Sequence, residues 1–155
     1  MYTLKLKKNA PSGTIILNRP EKRNAISRAM ITDLIQAFDD FHGEKSVRAV
    51  ILTGAGSAFC SGMDLAEMQE TAKQPDAWKQ WHEDALAYRE LIDKMMQFPK
   101  PIIAAVNGPV MAGGAGLLLA SDLFSSFFFW LSSASASSPA GFGFPTKRII
   151  KHTNE

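Results

Sequence analysis

Cysteine is almost absent from this sequence: Cys60 stands alone among 155 residues. One thiol excludes an internal disulfide and a zinc site built on cysteine pairs, and it fits a reducing compartment. Histidine is sparse as well. His42, His82 and His152 are too scattered for a metal centre, so none is expected. Net charge is small, with 17 Lys and Arg against 15 Asp and Glu for a formal +2. No basic run exceeds Lys7-Lys8 or Lys22-Arg23, which argues against nucleic acid as a partner. Long apolar runs are missing too. Leu117 to Leu131 is interrupted by Ser121, Asp122, Ser125 and Ser126, and its strongly apolar part is shorter than the about 20 residues of a membrane span. It reads instead as a buried helix. The N-terminus is charged and strand-like, without signal or transit pattern, which favours a cytoplasmic location.

What is present suits one domain able to bury a real core. Thr3 to Lys7 alternates polar and apolar residues, and Gly13 to Asn18 follows a Pro-Ser-Gly turn, so the two predict a hairpin. A polar loop, Asn18-Arg19-Pro20-Glu21-Lys22-Arg23-Asn24-Ala25, leads to Ser27, a candidate helix cap. From Arg28 to His42, Met30, Ile31, Leu34, Ile35, Phe38 and Phe41 recur at helical spacing. Val47 to Thr53 reads as a buried strand. A second loop, Ser57 to Leu65, precedes a helical stretch beginning near Ala66. A long amphipathic helix follows Pro75-Asp76, with Trp78, Trp81, Ala85, Leu91, Ile92, Met95 and Met96 as its expected buried side. Pro99-Lys100-Pro101 stops it.

The stretch Pro101 to Asp122 organises the rest. A short apolar strand, Ile102 to Val106, runs through an Asn-Gly turn into Gly113, Gly114 and Gly116, which open a helix. Glycines there allow close approach to the backbone, and the first helical turn leaves N–H groups without internal partners. Such donors can grip an anion or a developing oxyanion. Asp122 reads as structural, accepting backbone N–H bonds from a neighbouring loop. Ser61, His82 and Asp84 are the residue types of a hydrolase triad, but Ser61 lacks the Gly-x-Ser-x-Gly elbow. Cys60 reads as a small buried thiol.

Three motifs in order and spacing resemble the enoyl-CoA hydratase/isomerase (crotonase) family: Asn18-Arg19-Pro20 with Asn24-Ala25, Ala58 to Leu65, and Lys100 to Gly108 with the Gly113-Gly114 pair. The resemblance covers Met1 to about Leu123. It implies an α/β crotonase-like spiral of β-β-α units, a trimer or hexamer, and an acyl-CoA thioester as substrate, with coenzyme A entering only as part of that substrate. It assigns the oxyanion hole to the backbone N–H groups of Met63 and Gly113, places Asp64, Leu65 and Ala66 along the acyl-CoA tunnel, and lets Lys22 or Arg23 meet the CoA phosphates.

Departures from the pattern bear on the chemistry. Hydratases of the family carry a glutamate three residues after the oxyanion glycine, where this chain has Gly116. A second glutamate follows a Phe-Gly-x-Pro motif, present as Phe142 to Pro145, but Thr146 comes next. Glycine offers no titratable group for acid-base work. From Phe124 to Ser138 the composition turns to phenylalanine and serine, in the place of the family's next strand. The expectation is a core over 1–123 and an aberrant or truncated tail over 124–155, produced by a shifted frame, an alternative splice or a gene-model error. The resulting reading is a hydratase or isomerase impaired by that change. Its alternative is a non-catalytic fragment that binds CoA or joins full-length subunits, and a third is a related thioesterase or dehalogenase.

Overall fold

Alternation at the N-terminus does build a hairpin. Strands β1 (Leu4–Asn9) and β2 (Ser12–Leu17) run antiparallel, with Leu4 opposite Leu17 and Asn9 opposite Ser12. The computed structural model describes residues 2–126. Helix α1 (Arg28–Gly43) starts where Ser27 predicts: its hydroxyl oxygen accepts the Met30 N–H at 3.1 Å. Strand β3 (Ala49–Gly54), helices α2 (Leu65–Ala72) and α3 (Ala77–Met96), strand β4 (Ile102–Val106), helix α4 (Gly113–Leu119) and strand β5 (Leu123–Ser126) follow.

The five strands lie in the order β1-β2-β3-β4-β5, and every pairing after the hairpin is parallel. Register puts Ile15, Leu52 and Ala104 side by side on one face, with Val50 beside Ile102 one step along. All five are fully buried. Met30, Leu34, Phe38 and Phe41 of α1, together with Leu91 and Met95 of α3, complete that core. Each such side chain removed from water contributes about 1.5–3 kcal/mol. Phe98, just past α3, meets Phe38 edge to face at 5.2 Å.

The long helix departs from its expected face. Leu91 and Met95 are buried and Ile92 partly so, but Ala85 is exposed, as are Trp78 (66%), Trp81 (41%) and Met96 (70%). The stripe of apolar residues is real. A helix of 20 residues is about 30 Å long and outruns the core, so only the turns lying over α1 and the sheet bury their stripe.

The run after Leu117 also differs from a continuous buried helix. α4 ends at Leu119, itself 80% exposed, and the chain returns to the sheet as β5. Asp122 causes the return: its Oδ2 accepts the Ile102 N–H at 2.8 Å while its own N–H donates to the Ile102 carbonyl at 3.0 Å. A strand therefore does follow Asp122, and Phe124 to Ser126 belong to it. Phe142 to Thr146, His152 and the remainder of the tail lie outside the described residues. Among the described residues, no helix is long and apolar enough to cross a membrane.

Candidate functional site

Three loops at the carboxyl ends of β2, β3 and β4 meet, where parallel sheets generally place their ligands. In the first, Pro20–Lys22 forms one 3₁₀ turn, and Arg23 and Asn24 take left-handed backbone angles with φ of 49° and 56°. Asn24 is fully buried. Its Oδ1 accepts the Arg19 N–H at 2.9 Å, and its Nδ2 donates to the carbonyls of Ala55 and Ala58, both at 2.9 Å. Asn107 ties the third loop to the second, accepting from Gly54 N–H at 3.0 Å and donating to the Gly56 carbonyl at 3.0 Å.

Met63 lies at the centre of the second loop. Ile26 N–H donates to the Gly62 carbonyl at 2.7 Å and Asp64 N–H donates to the Ile26 carbonyl at 2.8 Å. That parallel bridge uses the residues either side of Met63 and leaves its own N–H unused. Gly113, first residue of α4, is its neighbour: a Cβ built on Gly62 would stand 3.2 Å from the Gly113 nitrogen. Among the described residues, neither the Met63 nor the Gly113 N–H donates to any acceptor. The site thus holds two adjacent backbone donors with free capacity.

Beside them lies an apolar cleft of ≈ 270 Å³ lined by Met63, Met68, Trp81, Asp84, Ala85 and Tyr88. Tyr88 donates its hydroxyl to the Gly113 carbonyl at 2.5 Å. Burial, helped by the nearby Cys60, pushes that phenol up to about 12, so it stays protonated. Asp84 is locked by Arg28, whose Nε and Nη2 each reach its carboxylate at 2.6 Å. That hydrogen-bonded pair, outweighing partial burial, holds Asp84 below the usual carboxylate range. A second cleft of ≈ 380 Å³ adjoins the same loops and is lined by Arg23, Ser57, Ala58, Ser61, Pro109 and Met111.

The enoyl-CoA hydratase/isomerase family model matches residues 8–126. The chain belongs to this family. It is 40% identical over 121 residues to an enoyl-CoA hydratase of Alternaria alternata, covering 76% of this chain and 38% of that protein. It is 39% identical over 115 residues to the mouse mitochondrial Delta(3,5)-Delta(2,4)-dienoyl-CoA isomerase, covering 69% and 35%. The crystal structure of an enoyl-CoA hydratase from Shewanella pealeana superposes with a TM-score of 0.74 at 30% identity, over 80% of this chain and 46% of that one. The crotonase-like fold is therefore shown, and the chain spans less than half the length of these relatives.

Within this member of the enoyl-CoA hydratase/isomerase family, the residues singled out from sequence take distinct places. Asp64 is buried and faces Arg19 Nη2 at 2.7 Å and Lys22 Nζ at 3.4 Å, while its Oδ1 caps α2 by accepting Ala66 N–H at 3.1 Å. Burial alone would raise its pKa, but Arg19, the Ala66 N–H and Lys22 outweigh it and the net direction is down. Leu65 and Ala66 are exposed at the start of α2. Lys22 and Arg23 sit on the first loop, with Arg23 at the rim of the larger cleft. Ser61, His82 and Asp84 do not form a triad: the Ser61 hydroxyl donates to the Lys22 carbonyl at 3.2 Å, Asp84 is held by Arg28, and His82 is exposed on α3. Cys60 is buried with its thiol on the Asn24 carbonyl at 3.2 Å. Among the described residues, no group of His, Cys, Asp and Glu could hold a metal ion.

Sequence reasoning missed the structural work of Arg19 and Asn24 and the place of Trp81 and Tyr88. Asn24 carried a readable signal, since asparagine tolerates left-handed backbone angles. Tyr88 carried none, because its partner lies 25 residues away.

Proposed function

We propose that this chain binds an acyl-CoA thioester and stabilises its enolate-like oxygen with the Met63 and Gly113 N–H groups, as a protein of the enoyl-CoA hydratase/isomerase type. Family membership supports an acyl-CoA-related function. The observation that carries the finer reading is the pair of adjacent backbone donors without partners among the described residues. A thioester reacting at its α or β carbon develops negative charge on oxygen, and donors already in place stabilise that state more than the ground state. The apolar cleft beside them suits an acyl chain. Leu65 and Ala66, exposed at the start of α2, offer further surface to the acyl-CoA, Asp64 anchors the loop carrying Met63, and Lys22 or Arg23 offers cationic contacts to the CoA phosphates. No resident cofactor is required.

Among the described residues, Gly116 and the Arg28-locked Asp84 leave the cleft without a carboxylate poised to take a proton, which favours isomerase or variant chemistry over two-carboxylate hydration. The same observation supports a second reading, a CoA-binding module without turnover. Loss of the conjugated thioester absorbance of a short enoyl-CoA tests both, with two variants. Gly113→Pro removes the donor. Gly113→Ala keeps it, and the added Cβ meets Met63 Sδ at an ordinary 3.4 Å. Turnover that falls roughly 100-fold to 1,000-fold in the proline variant, but little in the alanine variant, supports the donor assignment. Equal activity in both refutes it. Binding without any turnover selects the second reading.

A further inference from the structure

We infer that Tyr88 is a positioning residue that clamps the strained turn at Ala112 and thereby aims the Gly113 N–H, and that Gly116 is glycine because the Tyr88 hydroxyl occupies its side-chain space. The inference rests on the reading of Gly113 as an oxyanion donor. Ala112 has φ 45° and ψ −120°, angles that cost a residue with a Cβ about 1–3 kcal/mol. Its relaxation would rotate the Ala112–Gly113 peptide, the one that carries the Gly113 N–H. The next peptide is held at both ends. Its carbonyl, on Gly113, accepts the Tyr88 hydroxyl at 2.5 Å, and its N–H, on Gly114, donates to the Met111 carbonyl at 2.8 Å.

Space around the clamp is closed. A Cβ on Gly116 would stand 2.1 Å from the Tyr88 oxygen, and one on Gly62 would stand 2.9 Å from the Ala112 Cβ. Any side chain at 116 therefore evicts the hydroxyl from Gly113. Tyr88 also lines the cleft together with Met63, so the clamp belongs to the same site as both donors. Because the phenol is pushed up to about 12, it donates throughout the working pH range.

The test uses the full chain in two measurements. Without ligand, nitrogen-15 relaxation dispersion reads exchange at the Gly113 amide in the wild type, Tyr88→Phe and Gly116→Ala. With butyryl-CoA labelled with carbon-13 at the thioester carbonyl, difference infrared reads how far binding shifts that band. Both variants should show exchange at Gly113 that the wild type lacks, and the bound band should move back toward its free position. A tyrosine that serves stability alone would lower the melting temperature and leave Gly113 without exchange, which overturns the inference. Should Tyr88→Phe fail to fold, Gly116→Ala reaches the same end with Tyr88 retained. A wild-type band that binding leaves unshifted overturns the oxyanion reading instead, while new exchange at Gly113 in the variants still upholds the clamp.

Discussion

Replacing Asp64 should destabilise the fold by more than any surface change, because this one carboxylate serves three partners. It is 4% exposed, its Arg19 partner is 14% exposed, and the two approach to 2.7 Å. Removing one member of a buried pair costs about 3–5 kcal/mol, since the other charge stays behind. Here Arg19 keeps the Ala25 carbonyl at 2.6 Å, which places Asp64→Ala near the lower end of that range. Losing the cap on Ala66 adds about 1 kcal/mol. Lys22, with its side chain 47% exposed, adds little. The expected total for Asp64→Ala is about 4 kcal/mol, and for Asp64→Asn about 3 kcal/mol, because asparagine keeps an acceptor for the cap. Domains of this size are stable by about 5–15 kcal/mol, so a urea titration resolves both as a shifted midpoint at constant slope. The pH dependence has a definite sign. The folded pKa of Asp64 lies below its unfolded value of about 3.9, so its stabilisation is present above about pH 4 and is lost as pH falls through the folded value. Asp64→Asn should flatten the acid limb. A cost below about 1 kcal/mol for Asp64→Ala, or an acid limb unchanged in Asp64→Asn, would refute the reasoning.

Other consequences are separately measurable. Ala112→Gly relieves the positive φ and should stabilise the fold by about 1 kcal/mol, seen as a raised melting temperature; a lowered one contradicts the strain. Cys60 is buried with its thiol pushed up by desolvation, only partly offset by the Gly62 N–H. Iodoacetamide should therefore label it at neutral pH only after unfolding, and rapid labelling of the native chain would show the burial to be wrong. Trp81 lines the apolar cleft whereas Trp78 is 66% exposed, so butyryl-CoA should change the emission of the wild type and of Trp78→Phe. With the third tryptophan also replaced, Trp130→Phe, the change should vanish in Trp81→Phe, and its persistence there would move the acyl chain out of this cleft.

Much of the fold was legible because its causes are local. Alternation in Thr3 to Lys7, the Ser27 cap, the helical spacing from Met30 to Phe41 and the prolines around Lys100 act within a few residues, and each produced the expected element. The motifs Asn18-Arg19-Pro20 with Asn24-Ala25, Ala58 to Leu65, and Lys100 to Gly108 with the Gly113-Gly114 pair named the loops that the sheet then brought together. Periodicity failed on α3, since it marks which residues share a stripe and says nothing about how far the core extends beneath them. It failed again after Leu117, where one Asp122 carboxylate on Ile102 turns an apolar run back into the sheet.

By itself the sequence determined the order of most elements and the family. Tertiary structure alone decided the partners. Arg19 reaches Asp64 across 45 residues and Tyr88 reaches Gly113 across 25. Helix, strand and turn preferences are settled by sterics and hydrogen bonds between near neighbours along the chain. Which buried charge meets which, and which hydroxyl fills the space beside Gly116, depends on the packing of helices onto the five-stranded sheet.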